Sequence, residues 1–489
     1  MKTYPYSNFT LALSLVTIVL SLGLLSPARS LAQPGTVDAS FNPPPGLGRI
    51  EAMALQLDGN IVAAGSEGVF RLHPDGSLDQ AFAAAAPTLP GVFALALQAD
   101  GKILAGGSHF IVRLHSDGAL DDTFALPQQP DGEVLTIAAQ ADGRVLVGGY
   151  FNSINGNYRP AIVRLMTDGT TDFGFNPAMG PLDIVFTLKE LANGNLLMNR
   201  YTPDGQGNAF SALIRLHPDG SADATFTPPV TDSSIHAVAV QPDGRILLGG
   251  GFVSVNGVTR VGVARVAADG KLDTGFKPRV DQSYLVHALA VQLDGRIIIG
   301  GAFSSIGGVP RPMLARLNPT GTLDNNFDAQ MCCQNEDLVY AIALQNDGRV
   351  LISGSLTSVG GAALPSVARL NNDRFDPYLE FNASRYFVDE RAGFATIAVV
   401  RKGDATRSVS VQFLADSGTA RAGHDFVRQN VKVSFATGES VKIVAVPILD
   451  DNLNEGHETV RLTLKSPKGG ARLGNQPTSV LTILDSDLD

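Results

Sequence analysis

Eight carboxylates near the C terminus are grouped so that they could share a cation. Asp450, Asp451, Glu455 and Glu458 fall in one polar segment, Asp485 and Asp487 end the last apolar run, and Glu390 and Asp425 occupy two other loops. Calcium takes roughly six to eight oxygen ligands at about 2.3–2.6 Å, a demand that acids drawn from several loops can meet. Solvated acidic loops are the alternative reading, and the recurrence of acids in four separate segments weighs against it. An EF-hand does not account for Asp450-Asp451-Asn452-Leu453-Asn454-Glu455-Gly456, because its glycine is one place late and the flanking segments read as strands.

Those loops must be held by the runs between them. Residues 385–388, 395–401, 408–414, 432–435, 441–447, 458–465 and 479–484 are short, rich in β-branched residues and bounded by turn formers. Seven such strands in about 110 residues predict a Greek-key β-sandwich over 376–489. Asp376-Pro377 marks the boundary with what precedes it.

The preceding region is repetitive. An apolar run, Asp-Gly or Asn-Gly, and a second apolar run recur seven times, with the glycine at 59, 101, 143, 194, 244, 295 and 348. Asp-Gly between such runs predicts a type I′ hairpin, with positive φ at both central residues. A second hairpin follows in each unit. Arg71, Arg113, Arg164, Arg215, Arg265 and Arg316 precede Asp79, Asp121, Asp172, Asp223, Asp273 and Asp324 by eight residues, and a phenylalanine stands three beyond each aspartate. This pattern predicts a repeated ion pair and an aromatic wedge between sheets. Four-stranded units of this length, apolar on both faces, fit a closed propeller better than an open solenoid.

The seventh unit has Arg369 but no aspartate at the matching offset, whereas Gly35-Thr-Val-Asp38-Ala-Ser-Phe41 copies the missing limb at the start of the array. Closure through a strand borrowed from the N-terminal side is therefore expected, with Asp38 as the substitute. Repeats three, five, six and seven carry an added turn, at 153–156, 254–257, 305–308 and 358–361. Repeat four departs, with Asn199-Arg200 in place of Gly-Gly.

The repeats closely resemble the delta-60 family of bacterial β-propeller repeats, which implies a fold far more than a function. Phe387-Val-Asp-Glu-Arg-Ala-Gly393, Ser417-Gly-Thr-Ala-Arg-Ala-Gly-His-Asp-Phe426, Ile448-Leu-Asp-Asp-Asn-Leu-Asn-Glu455 and Leu481-Thr-Ile-Leu-Asp-Ser-Asp487 resemble the Calx-beta domain. By that resemblance the calcium ligands fall on Glu390, Asp425, Asp450, Asp451, Glu455, Glu458, Asp485 and Asp487, with the Leu453 carbonyl as a backbone ligand. Ser486 stands where a fully acidic terminal run would place another aspartate. The expected fold is all-β: a seven-bladed propeller at 33–375 and an immunoglobulin-like sandwich at 376–489.

Lys2, an apolar stretch from Phe9 to Leu25 and Ser30-Leu31-Ala32 read as a signal peptide over 1–32. No later run is long enough to span a bilayer, so a secreted, periplasmic or cell-surface location is expected. The chain's net charge of −10 argues against nucleic acid as a partner. The two cysteines, Cys332 and Cys333, are adjacent and build no disulfide framework.

His236 and His287 occupy equivalent positions in successive repeats, yet with no third ligand they make a poor metal site. Neither Gly-x-Ser-x-Gly nor His-Glu-x-x-His occurs. The lack of tryptophan lowers the case for a saccharide-stacking site without removing one built from Tyr or Phe. Calcium-dependent binding or adhesion to an extracellular protein or polysaccharide is the expected role, with a hydrolase or lyase site at the propeller's channel as the alternative.

Overall fold

The computed structural model describes residues 33–89, 91–203, 209–280, 285–331, 337–356, 358–359, 362–363, 366–450 and 455–485. The expected signal segment, both cysteines, the 360–361 turn, Asp451, Leu453 and Asp487 lie outside these residues. The fold is nearly all strand. Among the described residues a six-residue helix, Gln80–Ala85, is the one α-helix, capped by the Asp79 carboxylate accepting from the N–H groups of Ala81 and Phe82.

Seven antiparallel sheets form the propeller blades. In the sixth, Val286–Val291 pairs with Ile297–Gly301, which pairs with Leu314–Leu317. The middle strand is buried at every residue because neighbouring blades cover both of its faces. The expected fourth strand is reduced to a single bridge: Leu72↔Leu78, Leu114↔Leu120, Leu165↔Thr171, Leu216↔Ala222, Val266↔Leu272 and Leu317↔Leu323. Most blades are thus three strands and one paired residue, narrower than the four-stranded units the repeat length suggests, while the sheet of the fourth continues through 230–231 into the added hairpin at 254–259.

The Asp-Gly turns also differ from expectation. Only the glycine takes a left-handed conformation, with φ from +80° to +90° at the seven positions. Gln56 N–H donates to the Asn60 carbonyl, and Gly59 N–H to the Gln56 carbonyl. This is the longer hairpin loop in which one αL glycine follows an ordinary turn. The Asp58 carboxylate accepts from Asn60 N–H at 2.9 Å, so the aspartate is selected for that bond and not for positive φ. The true two-residue turn with both φ positive occurs in the added hairpins, at Asn155 (+54°) and Gly156 (+71°), and at Asn256 (+50°) and Gly257 (+74°).

Each repeated arginine ties three things together. Arg113 donates to Asp121 at 2.7 Å, to the Thr167 carbonyl of the next blade at 2.7 Å, and lies 4.8 Å from the centre of the Phe124 ring. Arg215 and Arg265 do the same toward Ala268 and Pro319. A buried guanidinium needs such partners, since leaving its charge unpaired would cost several kcal/mol. The phenylalanines fill the blade interfaces: Phe276 packs with Leu247 and Val263 of one blade and with Val286 and Ile297 of the next. Arg369 completes the ring with Asp38 at 2.8 Å and Phe41 at 4.8 Å, and Val37 bridges Leu370. Both open sheet edges are thereby covered.

Among the described residues the C-terminal sandwich has nine strands, two more than the apolar runs suggest: Tyr378–Phe381 and the two-residue Arg472–Leu473 are added, paired in parallel. One sheet orders 441–447, 394–402, 378–381 and 472–473. The other orders 385–389, 478–484, 458–468, 409–417 and 429–435. Between them lies a core that includes Phe381, Phe413, Phe426, Phe435, Val460 and Leu481. At the propeller end, Gly403 N–H donates to the Asn346 carbonyl of the seventh blade at 2.6 Å.

Candidate metal centre

The acidic site sits at one end of the sandwich, where strand ends bring separate loops together. The 458–468 strand begins at Glu458, directly opposite Ile483, so the strand-leading carboxylate and Asp485 approach the same corner. Asp425 is delivered by a tight loop. Its carboxylate accepts from Arg421 N–H at 2.5 Å, its own N–H donates to the Arg421 carbonyl, and its carbonyl accepts from Leu449 N–H. Phe426, fully buried beside it, anchors the loop in the core.

Glu390 lies in a 3-10 turn, Glu390–Ala392, capped by Asp389 and ended by Gly393 at φ +73°. The Gly393 carbonyl accepts from Ile448 N–H, which joins this turn to the loop that follows the 441–447 strand. Asp485 is buried and its Oδ2 accepts from the N–H groups of Glu455 and Gly456 at 2.8 and 2.6 Å, clamping the acidic loop against the last strand.

One oxygen from each of Asp425, Glu455 and Glu458 lies within 4.8 Å of the others. Opposite ligands on a calcium ion of about 2.4 Å bond length are separated by about that distance. Together with Glu390 and Asp485 these residues wall a cavity of about 10 Å³, completed by Leu449, Gly456 and Ile483. That is the size for one water-sized occupant. Burial pushes the Glu458 carboxyl up to about 7, reinforced by a hydrogen bond and charge repulsion from Asp425 and by Glu455, with Arg421 opposing. A donor set of hard, mutually repelling carboxylate oxygens suits a divalent cation such as calcium.

Of the expected ligands, the structure thus gathers Glu390, Asp425, Glu455, Glu458 and Asp485. Asp450 is exposed beside Leu449 and is not part of the cavity wall. Arg421 was absent from the expected set, although it stands inside the Ser417–Phe426 motif. Its N–H positions Asp425, and its charge acts on Glu458.

A family model described as the Calx-beta domain matches residues 373–487. One described as a domain of unknown function (DUF5122) beta-propeller matches seven segments between 56 and 373. The chain carries a DUF5122 β-propeller followed by a Calx-beta domain.

The Calx-beta region is similar to the sodium/calcium exchanger Calx of Drosophila melanogaster, 33% identical over 107 residues, which is 22% of this chain and 11% of the exchanger. It is also similar to the extracellular matrix organizing protein FRAS1 of Mus musculus, 32% identical over 145 residues, 27% of this chain and 4% of that protein. Among solved structures, the calcium binding domain CBD12 of CALX1.1 is 32% identical, with 22% of this chain and 46% of that chain covered and a TM-score of 0.22. The chain therefore spans only a small part of these curated relatives. Among the described residues no helix is long and apolar enough to cross a membrane.

Proposed function

We propose that this protein is an exported binding or adhesion module whose Calx-beta domain takes up calcium. The approach of Asp425, Glu455 and Glu458 within 4.8 Å carries the reading, because three carboxylates held this close repel one another until a cation neutralises them. Calcium would join the Asp425 loop, the 455–458 segment and the end of the last strand, stiffening one end of the sandwich. Of the relatives' names, sodium/calcium exchanger agrees with a link to calcium and extracellular matrix organizing protein with an exported setting. Asp451, Asp487 and the Leu453 carbonyl complete the proposed ligand set, and Asp450, exposed and outside the cavity wall, is left out of it. The propeller serves as the platform that meets an extracellular protein or polysaccharide.

Calorimetry and thermal melting of the full chain with calcium and with magnesium test this. Calcium should release or absorb heat saturably and raise Tm, and magnesium should do so weakly because it keeps its own waters. No heat and no thermal shift at millimolar calcium would sink the proposal.

A further inference from the structure

In six of the seven blades the innermost strand has one residue out of register at the same place. Pairing shifts between Ile50 and Ala52, Val92 and Ala94, Val134 and Thr136, Ile235 and Ala237, Val286 and Ala288, and Val339 and Ala341. The extra residues are Glu51, Phe93, Leu135, His236, His287 and Tyr340. Phe186 takes this place in the fourth blade, where the Asn199 side chain accepts from the N–H groups of Phe186 and Thr187. A bulge bends its strand and re-aims a side chain, and bulges recur beside functional sites.

These residues converge. Rings from successive blades meet in order: Phe186–His236 at 4.7 Å between centroids, His236–His287 at 5.0 Å, and His287–Tyr340 at 5.3 Å. Arg49 lies over Tyr340 at 5.6 Å and pairs with Glu51 of the first blade, which continues the arc. All of these extra residues are half-buried, whereas the residue before each is buried, as expected for a lining reached by solvent. Packing alone would not require four consecutive blades to place aromatic or imidazole rings here.

The arc combines ring faces with hydrogen-bonding groups and little net charge. Burial holds both imidazoles down to about 4, so at neutral pH each is uncharged and offers one donor and one acceptor. One nitrogen of His236 is engaged by Ser234 Oγ at 2.8 Å, leaving the other for a ligand. Arg49 and Glu51 offset each other. A flat apolar ligand would cover the rings but leave the imidazole nitrogens it buries without hydrogen-bond partners, which disfavours it. A charged ligand would meet as a like charge either Arg49 or the carboxylates of Glu51 and of Glu133, the third-blade residue whose charge acts on Glu51.

We propose that the arc of Phe186, His236, His287 and Tyr340, with Glu51 and Arg49, binds a neutral saccharide at the propeller's axis. The apolar C–H face of a pyranose lies on the Tyr340 ring, and its hydroxyls bond to the imidazoles and to Glu51 and Arg49. This names a partner class for the binding role proposed above and does not depend on the calcium site.

Saturation-transfer NMR and calorimetry of the full chain with glucose, galactose, N-acetylglucosamine and cellobiose test it. Transfer to ring C–H protons of at least one sugar is expected, unchanged by EDTA. His287→Ala and Tyr340→Ala should each weaken binding about tenfold or more, while Tyr340→Phe keeps the stacking and most of the affinity. His287→Gln replaces the alanine variant should that one not fold. The proposal is overturned by no transfer from any of the four sugars, by affinity indifferent to these variants, by loss of binding in EDTA, or by tighter binding of indole or benzoate than of sugar. A failure here with calcium uptake intact would leave the calcium reading standing.

Discussion

Arg369 Nε lies 2.8 Å from Asp38 Oδ2, across 331 positions of sequence. The same Arg–Asp contact is made eight residues apart within the other blades, at 2.7 Å in Arg113–Asp121 and Arg215–Asp223. The seventh blade therefore takes its aspartate from the segment that precedes the first. Asp38 also accepts from Ser40, and Arg369 donates to the Ser40 hydroxyl, so the closing contact is a small network. Asp38→Ala leaves a buried guanidinium without its counter-charge and should lower unfolding free energy by about 3–5 kcal/mol. Asp347→Ala, at an exposed turn, should change it little. Urea unfolding of both variants checks this, and equal midpoints would argue against closure by this pair.

The bulges depend on glycine. A Cβ on Gly301 would stand 2.0 Å from the Leu285 carbonyl oxygen, and one on Gly250 equally close to Ser234 O. Gly301→Ala must therefore push the innermost strand away and displace His287. A loss of about 2 kcal/mol or more is expected, together with weaker saccharide binding. Val258→Ala, on an exposed added hairpin, should leave both unchanged.

Within the acidic cluster, Asp425→Asn and Glu458→Gln each remove a negative charge from the proposed calcium shell. Either should weaken calcium binding at least about tenfold and reduce the thermal shift. Asp416→Asn, which loses only an exposed contact to Arg428, should behave as the parent protein. Titration calorimetry on the three variants separates a site from diffuse attraction, since diffuse attraction would treat them alike.

His236 and His287 also make stability depend on pH. Their folded-state values lie near 4, below the 6.5 of an unfolded histidine, with burial the main cause and His287 adding repulsion at His236. Below pH 6.5 the unfolded chain takes up these protons first. The stability the pair contributes is thus complete above 6.5 and is lost as pH falls toward 4. Ser234, Phe186 and Tyr340 face the two rings, and Arg49 and Glu51 on the first blade and Glu133 on the third are the charged groups farther round the circle. The His236→Phe, His287→Phe double variant should show a shallower fall in Tm between pH 6.5 and 4 than the parent. An identical profile would mean that the imidazoles carry no such burden.

Local order is legible in the sequence. The Arg–Asp–Phe spacing, the aspartate displaced to position 38 and the alternation that ends at Arg369-Leu370 are properties of the chain, because hairpins and blade packing repeat with the sequence. The acids were readable as types, though not as a site. Asp425 and Glu458 are 33 positions apart, and only the strand pairing of the sandwich decides that they meet while Asp450 points to solvent. The turn geometry was misread because Asp-Gly serves two hairpin types, and the loop length that distinguishes them follows from the register of the paired strands. The ring at the propeller axis was hidden for a related reason. His236 and His287 could be aligned by repeat, but that Glu51, Phe186 and Tyr340 join them depends on the bulges of six blades, on the Asn199 contact that holds Phe186 in the fourth, and on closure of the circle, all of which arise only when non-local strands pair.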